Sequence, residues 1–414
     1  MPIINYMPVS GYQMRNYRII LIALFLFSLI FIYFQGGKVP YMLFYISVFI
    51  PLVSLAYTIL TYKLFKYSQN IDRTNVIKGE KITLDVNVHN ESLLFFPYIK
   101  LNFLNANKIF NNQLEEESFS LTPKSGKRAS YQLDCKYRGS YAVGVDSILF
   151  EDFTGVFKLK YKPGSFFNIT VRPRVIHLDK FHIKTGFLSE SHSNLSSNYE
   201  DFSTVSHIRE YKYGDSSKHV HWKASAKLSQ LMVKNYQSTS GIYVILVLDT
   251  LKNNFAEDEN IILEDKVVET LIAVLHYFLS NFINVKLIFY KDDINDIELK
   301  TMHDFEKIYD YMSKFEFDSD VDISNILKIY LSKTISRDNI ILLTYNINYS
   351  IYEQLINARM SGHEPSLIYI SPDEIVHNKN VNEDIILSSL NEQNITYYKI
   401  NINDDIKQVL ERNS

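Results

Sequence analysis

The sequence predicts two transmembrane helices, then an all-β sandwich-like domain, then an α/β doubly wound domain. Two long apolar runs near the N-terminus, a stretch of short alternating strands, and a later alternation of strands with helices predict this order. Of the 414 residues, 46% are hydrophobic and 21% are charged, which excludes a largely disordered chain and a transporter with many spans. We therefore assign residues 1–66 to a membrane hairpin, 67–175 to the β domain, 176–241 to a linker and 242–414 to the α/β domain.

The hairpin is predicted from two uncharged runs. Residues 19–34 contain only two polar side chains, Ser28 and Tyr33, and residues 39–60 carry no charge. Each run approaches the length of about 20 residues that crosses a bilayer. Because only residues 35–38 connect the runs, the two helices must be antiparallel. A secretory signal peptide is the alternative, but no small-residue cleavage site follows the first run.

Basic residues near the ends of the two spans predict their orientation. Arg15 and Arg18 precede the first span, Lys63 and Lys66 follow the second, and only Lys38 lies in the turn. Lysine and arginine are retained on the cytoplasmic side of a membrane. We therefore predict a multi-pass membrane protein whose termini and soluble domains are cytoplasmic.

Composition and charge exclude several classes of function. Residues 242–414 contain 15 basic and 29 acidic residues, and a domain this acidic repels phosphate backbones, so we predict no nucleic-acid partner. The single cysteine, Cys135, excludes an intrachain disulfide and a cysteine-based zinc site. We find no glycine-rich phosphate loop, no Gly-x-Ser-x-Gly elbow and no His-Glu-x-x-His motif. We accordingly predict no catalysis and no cofactor.

Short strands predict the β domain. Runs in which apolar and polar side chains alternate are typical of half-buried strands, and glycine and proline turn signals between the later runs give the spacing of a sandwich of about seven strands. The predicted strands are residues 82–88, 98–103, 130–135, 141–145, 156–161 and 167–171.

After residue 241 strands and helices alternate, which predicts a mostly parallel, doubly wound sheet. The first strand is continuously apolar, as a strand covered on both faces requires. The predicted strands are 243–248, 285–290, 340–343, 366–370 and 396–400, and the main predicted helices are 263–282, 303–315, 323–332 and 351–360.

The basic segment 207–234 carries the motif on which a family resemblance rests. Its motif positions are Arg209, Tyr211, Gly214, Asp215, Lys218, His219, Val220, Trp222, Ser225, Ala226 and Lys227. This pattern resembles the signature of the bacterial family called domain of unknown function 58. Residues 138–144 and 152–157 also look like motifs of that family's β domain.

The resemblance implies N-terminal membrane spans, a β domain and a von Willebrand factor A-like domain in a bacterial cell membrane. It also implies a MoxR-type AAA+ ATPase and a transglutaminase-like membrane protein as partners, with a role in assembling or maturing other proteins. Lys218 and Lys227 depart from the family, which usually has arginine at both positions. Lysine cannot make the planar two-pronged contact that arginine makes with anions.

We interpret the signature first as a structural clasp. In this interpretation Arg209 and Asp215 form an ion pair across a tight turn at Gly214, and Trp222 packs at the junction between domains. The alternative is a recognition surface, because an exposed tryptophan with basic neighbours is typical of interface hot spots. The two interpretations predict opposite exposures for Trp222.

Further hypotheses concern the histidines and aromatic residues of the same segment. His219 and His221 would share one face of an extended chain, a spacing that some metal sites use. With Asp215 they also supply the rival hypothesis, a hydrolase. Tyr211 and Trp222 could stack on single-stranded nucleic acid, but the segment is short and lies beside an acidic domain.

The likeness to von Willebrand A domains implies a metal motif, Asp-x-Ser-x-Ser, after the first strand. The equivalent here begins at Asp249, but Leu251 and Asn253 replace the two serines, and the strand that ends near Asn346 supplies no aspartate. Hard cations need several oxygen ligands. We therefore predict a degenerate site that holds no metal.

Overall fold

The chain forms two compact units, Met1–Arg172 and Pro173–Ser414. A pair of apolar helices and mostly β sheets make up the first unit, and α/β elements make up most of the second, which agrees with the predicted order. The computed structural model describes residues 11–104, 117–181, 201–211, 220–228, 230–237, 243–334, 338–376 and 382–412.

The two predicted apolar runs are helical, as α1 (Gly11–Gln35) and α2 (Lys38–Leu64). α2 is long and apolar enough to cross a membrane, with a mean hydropathy of 2.1, and α1 contributes a shorter apolar stretch, Ile19–Gln35. Gly36 and Gly37 connect the helices with φ values of 57° and 93°. Residues with a side chain rarely adopt this left-handed geometry, so the pair of glycines permits the tight turn.

Ten strands follow α2 and share one hydrophobic core. Within the described residues they form three sheets, with the orders β1-β3-β6, β2-β10-β7 and β5-β4-β8-β9. The strands are β1 (Phe65–Ile71), β2 (Asn75–Ile77), β3 (Lys81–Asn90), β4 (Phe96–Phe103), β5 (Glu117–Leu121), β6 (Ser125–Asp134), β7 (Gly139–Val143), β8 (Val145–Glu151), β9 (Lys158–Tyr161) and β10 (Phe167–Arg172).

The motif at residues 138–141 is explained by a close approach inside this unit. The Tyr141 hydroxyl donates to the carbonyl oxygens of Arg138, at 2.6 Å, and Tyr137, at 3.1 Å. Gly139 has a φ of 146°, and a Cβ atom there would lie only 2.8 Å from the Tyr141 hydroxyl oxygen. Glycine is therefore required both by the backbone and by the tyrosine ring.

The second unit contains a β hairpin, with a short helix in its connection, and a six-stranded sheet with helices. Its elements are β11 (Asp201–Glu210), α3 (Trp222–Leu228), β12 (Met232–Gln237), β13 (Tyr243–Leu248), α4 (Glu257–Ser280), β14 (Asn284–Lys291), β15 (Asp293–Leu299), α5 (Met302–Ser313), α6 (Ile323–Lys333), β16 (Asn339–Thr344), α7 (Tyr349–Met360), β17 (Glu364–Ser371), α8 (Glu383–Glu392), β18 (Thr396–Asn401) and α9 (Ile406–Glu411).

The large sheet has the order β15-β14-β13-β16-β17-β18, and all its neighbouring strands are parallel except β15, which is antiparallel to β14. Side chains of β13 alternate between two cores. Val244 and Leu246 pack with α4, α5 and α9, whereas Ile245 and Val247 pack with α6, α7 and α8. The predicted doubly wound arrangement is thus observed.

Several elements differ from the predicted ones. The segment predicted to be a linker contains three elements, β11, α3 and β12. Six further elements were not predicted: β1, β2, β5, β8, β15 and α8. Four of the seven residues of β15 are Asp, Asn or Glu and its two isoleucines are three residues apart, so it lacks the alternating pattern of a half-buried strand. Asp292 and Asp293 lie where β14 turns into β15, with Asp292 at a φ of 59°.

Candidate functional site

The signature segment forms an antiparallel hairpin with a short helix in its connection. The Tyr211 N–H donates to the Leu231 carbonyl, and the His221 N–H donates to the Met232 carbonyl, both at 2.8 Å. The chain on both sides of residues 212–219 is therefore attached to two consecutive residues at the start of β12, Leu231 and Met232.

Two side chains attach α3 to this hairpin. The ring Nδ1 of His221 accepts a hydrogen bond from the Ala224 N–H at 3.1 Å, in the first turn of the helix. The Ser225 hydroxyl oxygen accepts from the Met232 N–H at 2.8 Å, and its hydrogen is within reach of the His221 carbonyl at 3.1 Å. Ser225, a motif position, thus connects α3 to β12.

The outer face of α3 is exposed, and we call Trp222, Lys223, Ala226 and Lys227 the Trp222 surface. These positions follow the helical spacing that places residues on one side, while Ala224 and Ser225 face the hairpin and are half-buried. The Trp222 side chain is 69% exposed. Trp222 begins the helix on its outward side. The clasp interpretation, which concerns packing at the junction between domains, stays a prediction.

Neighbouring residues add further exposed apolar area. Leu228 is 57% exposed, Leu231 is 50% exposed and Tyr211 is 36% exposed. Single exposed apolar residues need no explanation, whereas an exposed apolar patch rimmed by polar residues indicates a contact surface. The sequence signal for Leu228 and Leu231, two leucines in an otherwise polar stretch, was overlooked.

The other signature residues are only partly described. Arg209 lies in β11 opposite Val233 of β12. The Arg209–Asp215 ion pair and the metal contact of His219 and His221 stay predictions. They involve residues outside the described ranges, where Gly214, Asp215, Lys218 and His219 lie.

His221 has a structural role that bears on the metal and hydrolase hypotheses. Its Nδ1 already accepts the Ala224 N–H, so that nitrogen is occupied as long as α3 keeps its first turn. Within the described ranges no group of three or more His, Cys, Asp or Glu side chains is placed to hold a metal ion. His221 thus positions the first turn of α3 through Nδ1. The metal and hydrolase hypotheses, which also need His219 and Asp215, stay predictions.

A buried carboxyl group, Asp249, lies directly after β13. It is 1% exposed; its Oδ2 accepts from the Thr344 hydroxyl at 2.6 Å and its Oδ1 accepts from the Leu251 N–H at 3.1 Å. Burial raises the pKa of Asp249 to about 6, although both hydrogen bonds favour the charged form. The Thr250 hydroxyl turns away and donates to the Tyr290 carbonyl at 2.7 Å.

The loop after Asp249 is closed by backbone pairing. Leu251 forms a parallel bridge with Ser319, and the Lys252 N–H donates to the Ser319 carbonyl at 2.7 Å. Both oxygens of Asp249 thus face hydrogen-bond donors, and Asn253 is half-buried farther along the loop. These donors favour the charged carboxylate, whereas burial favours the protonated carboxyl group. The absence of a metal stays a prediction.

A second buried carboxylate, Asp152, lies in the first unit between β8 and β9. It accepts from the Ser54 hydroxyl of α2 at 2.6 Å and from the N–H groups of Thr154, at 3.1 Å, and Phe157, at 2.8 Å. Burial alone would raise the pKa of Asp152, but these hydrogen bonds outweigh it and lower the pKa below its usual value. The polar Ser54 inside an apolar run was the overlooked signal.

Comparisons with known proteins are limited. No protein-family model matches the chain. The chain is 25% identical over 295 residues to the uncharacterized protein YeaD of Bacillus subtilis (strain 168), covering 66% of this chain and 67% of that protein.

Among solved structures, a CARDB domain from Pyrococcus furiosus matches 27% of this chain and 96% of its own chain, at 14% identity and a TM-score of 0.18. A β-glucosidase from Listeria innocua matches 26% of this chain and 16% of its own, at 9% identity and a TM-score of 0.15. Neither likeness is close enough to support a fold or an activity.

Proposed function

We propose that this protein is a membrane-anchored, non-catalytic interaction protein whose soluble units face the cytoplasm. We further propose that its partner is a MoxR-type AAA+ ATPase, and that the two assist the assembly or maturation of other proteins. The exposed Trp222 surface is the observation that carries this proposal.

An indole group that is 69% exposed leaves a large apolar area in water. Burying such a side chain in a partner's pocket is favourable, and tryptophan is among the residues most enriched at interface hot spots. The helix beneath it is held by the Ser225 bond to β12, so the side chain is presented from an ordered base. A preorganised anchor loses less conformational freedom on binding.

The charges around Trp222 indicate the chemistry of the partner. Lys223 and Lys227 are both exposed and lie one helical turn apart on the same face. Their ammonium groups would add favourable electrostatics to a partner surface that is acidic around an apolar pocket. A phosphate backbone fits less well, because the C-terminal part of the chain carries 15 basic and 29 acidic residues.

The helix pair supports the membrane anchor, since α2 has the length and hydropathy of a membrane span. The four basic residues at the outer ends of the two helices support a cytoplasmic location of both soluble units. The doubly wound sheet with its edge strand β15 supports the likeness to a von Willebrand factor A-like domain, and Asp249 occupies the end of its first parallel strand. The ATPase and a transglutaminase-like membrane partner follow from the family resemblance.

The proposal is tested by measuring binding of the full chain, in lipid nanodiscs, to a MoxR-type ATPase of the same organism. Trp222→Ala should weaken binding about 30-fold, which corresponds to the loss of about 2 kcal/mol at a hot spot. The melting temperature should not change, because the side chain contributes little to the fold.

Tyr349→Ala is the matched control, because Tyr349 is an exposed aromatic residue, at 57%, outside the signature segment. It should leave the affinity for the ATPase within about twofold, because a side chain outside the interface contributes little to binding. Equal binding by wild type and Trp222→Ala would refute the proposed role of the Trp222 surface. Equal weakening by both substitutions would show that the effect is not specific to that surface.

A further inference from the structure

Two loops of the β unit lie against the C-terminal half of α2. The first, residues 92–97, leads into β4 and includes its first two residues. The second, residues 152–157, connects β8 to β9. Apart from Asp152, neither loop contains a charged residue. Each loop nevertheless exposes a large apolar side chain, Leu93 at 76% and Phe153 at 59%.

Direct contacts fix both loops to α2. The Ser54 hydroxyl donates to the Asp152 carboxylate at 2.6 Å. The Tyr57 hydroxyl donates to the Phe95 carbonyl at 2.7 Å and accepts from the Phe95 N–H at 2.9 Å. The rings of Tyr57 and Phe153 lie 5.0 Å apart between centroids. The two loops therefore cannot move away from the helix without breaking these bonds.

The depth of these contacts follows from the length of α2. At about 1.5 Å per residue, Ser54 lies about 24 Å and Tyr57 about 28 Å along the helix from Lys38. The hydrocarbon core of a bilayer is about 30 Å thick. If the turn before Lys38 lies at one interface, both residues lie just inside the opposite edge of the hydrocarbon core.

One loop residue reaches still farther along the hairpin. Val156 borders a cleft whose other walls include Val48 and Pro51 of α2 and Phe25 of α1. Val48 and Pro51 lie about 15 and 20 Å from Lys38 along the helix, so the cleft that Val156 borders extends into the hydrocarbon core.

We propose that residues 92–97 and 152–157 form a wedge that inserts into the bilayer beside the hairpin, with Phe153 and Leu93 in contact with lipid. This inference rests on the proposed membrane anchor. The apolar surface of the helix pair continues onto the two loops, so a lipid bilayer is the occupant that fits this surface. Tyrosine favours the membrane interface, and Tyr57 of α2 contacts both loops. The hydrogen bonds on Asp152 satisfy the one carboxylate of the wedge.

The wedge has a consequence for the whole β unit. β1 begins at Phe65, directly after α2 ends at Leu64, so no flexible linker separates the helix from the sheets. With lipid contacts on two loops as well, the β unit is held in one orientation against the membrane. It therefore serves as a rigid base and not as a tethered domain.

The test measures quenching of tryptophan fluorescence by lipids brominated at different depths of the acyl chain. The full chain with Trp222→Tyr has no tryptophan, and a single tryptophan is then introduced as Phe153→Trp, Leu26→Trp or Ile77→Trp. The three original side chains are 59%, 52% and 44% exposed, so burial in the protein does not explain differences in quenching. Leu26→Trp reports the membrane span, and Ile77→Trp, on β2, reports the part of the β unit outside the wedge.

The wedge predicts that Phe153→Trp is quenched by lipids brominated near the carbonyl end of the chain, at least fivefold more than Ile77→Trp. Leu26→Trp should be quenched most by lipids brominated deeper in the bilayer. If Leu26→Trp is quenched but Phe153→Trp behaves like Ile77→Trp, the wedge is refuted while the membrane anchor stands. If none of the three is quenched, the membrane anchor itself fails and the wedge fails with it.

Discussion

Replacing Asp249 with asparagine should stabilise the protein at neutral pH. Asp249 is 1% exposed, and burial raises its pKa from 3.8 to about 6. Asp322 nearby raises the pKa further by charge repulsion. Above pH 6 the folded protein must therefore hold a buried carboxylate, which an uncharged amide of the same shape avoids.

The magnitude follows from proton linkage. Between pH 3.8 and about 6 the folded state keeps a proton that the unfolded state has lost, so stability decreases as the pH rises. A shift of about two units corresponds to about 3 kcal/mol, at about 1.36 kcal/mol per unit. The stabilising contribution of the neutral Asp249 is fully present below about pH 4 and is lost as the pH rises through about 6.

Asparagine should keep the local hydrogen bonds. The amide oxygen can accept from the Leu251 N–H as the carboxylate does. The amide NH₂ can donate to the Thr344 hydroxyl, whose own hydrogen then reaches the Asn346 carbonyl at 2.8 Å. The substitution therefore removes a charge and leaves no buried donor unsatisfied. An unsatisfied buried donor would destabilise the folded state.

The assay is the melting temperature of the detergent-solubilised full chain from pH 4.5 to pH 8. The difference between Asp249→Asn and wild type should be about 2 to 4 °C at pH 4.5, where about 1 kcal/mol is already lost. It should reach about 6 to 12 °C above pH 7, given about 2 to 4 °C per kcal/mol for a unit of this size. Taking the difference at each pH removes the contribution of other titrating groups.

Asp304→Asn is the control with the opposite sign. The Asp304 carboxylate accepts from the Thr301 hydroxyl at 2.8 Å in the capping box of α5, and its pKa is lowered by that bond. Its stabilising contribution is therefore present above the ordinary pKa and lost in acid. Destabilisation by Asp249→Asn at pH 8, or a magnesium-dependent melting temperature that the variant lacks, would show that Asp249 binds a cation instead.

Two shorter predictions complete the account. Ser225→Ala leaves the Met232 N–H without its side-chain acceptor. The hydrogen-exchange rate of that amide should therefore rise about fivefold, equivalent to about 1 kcal/mol. Gln230→Ala, at an exposed position between α3 and β12, should not change the rate, and an unchanged rate in Ser225→Ala would contradict the connection of α3 to β12. An alkaline phosphatase fused to the C-terminus should be inactive and a cytoplasmic reporter active, because basic residues flank the outer ends of the membrane hairpin α1–α2. The reverse result would overturn the predicted orientation.

Local periodicity predicted most of the fold. The apolar runs gave both helices of the hairpin, and the alternation after residue 241 gave the parallel strands, because each signal depends only on neighbouring residues. The edge strand β15 was missed because its acidic residues Asp293, Asp296 and Glu298, which are exposed, interrupt the apolar pattern. Polar strands such as β1 and the three-residue β2 carry almost no hydrophobic pattern.

The candidate site was harder to predict, because exposure and long-range pairing are not local properties. The sequence left two interpretations of Trp222 open, a clasp and a recognition surface. Its exposure depends on its position in a seven-residue helix, where it lies on the outward side. Ser54 and Asp152 are 98 residues apart in sequence. Nothing in either segment alone indicates that the helix and the loop meet.

The central claim is that Trp222 is exposed in the free protein and covered by the partner. Trp222 is the only tryptophan of the chain, so acrylamide quenching of its fluorescence reports this directly in the unmodified full-length protein in nanodiscs. We predict quenching close to that of a free tryptophan derivative, and at least threefold weaker quenching after the MoxR-type ATPase is added and its own emission is subtracted. Weak quenching in the free protein, or unchanged quenching with saturating ATPase, would contradict the claim.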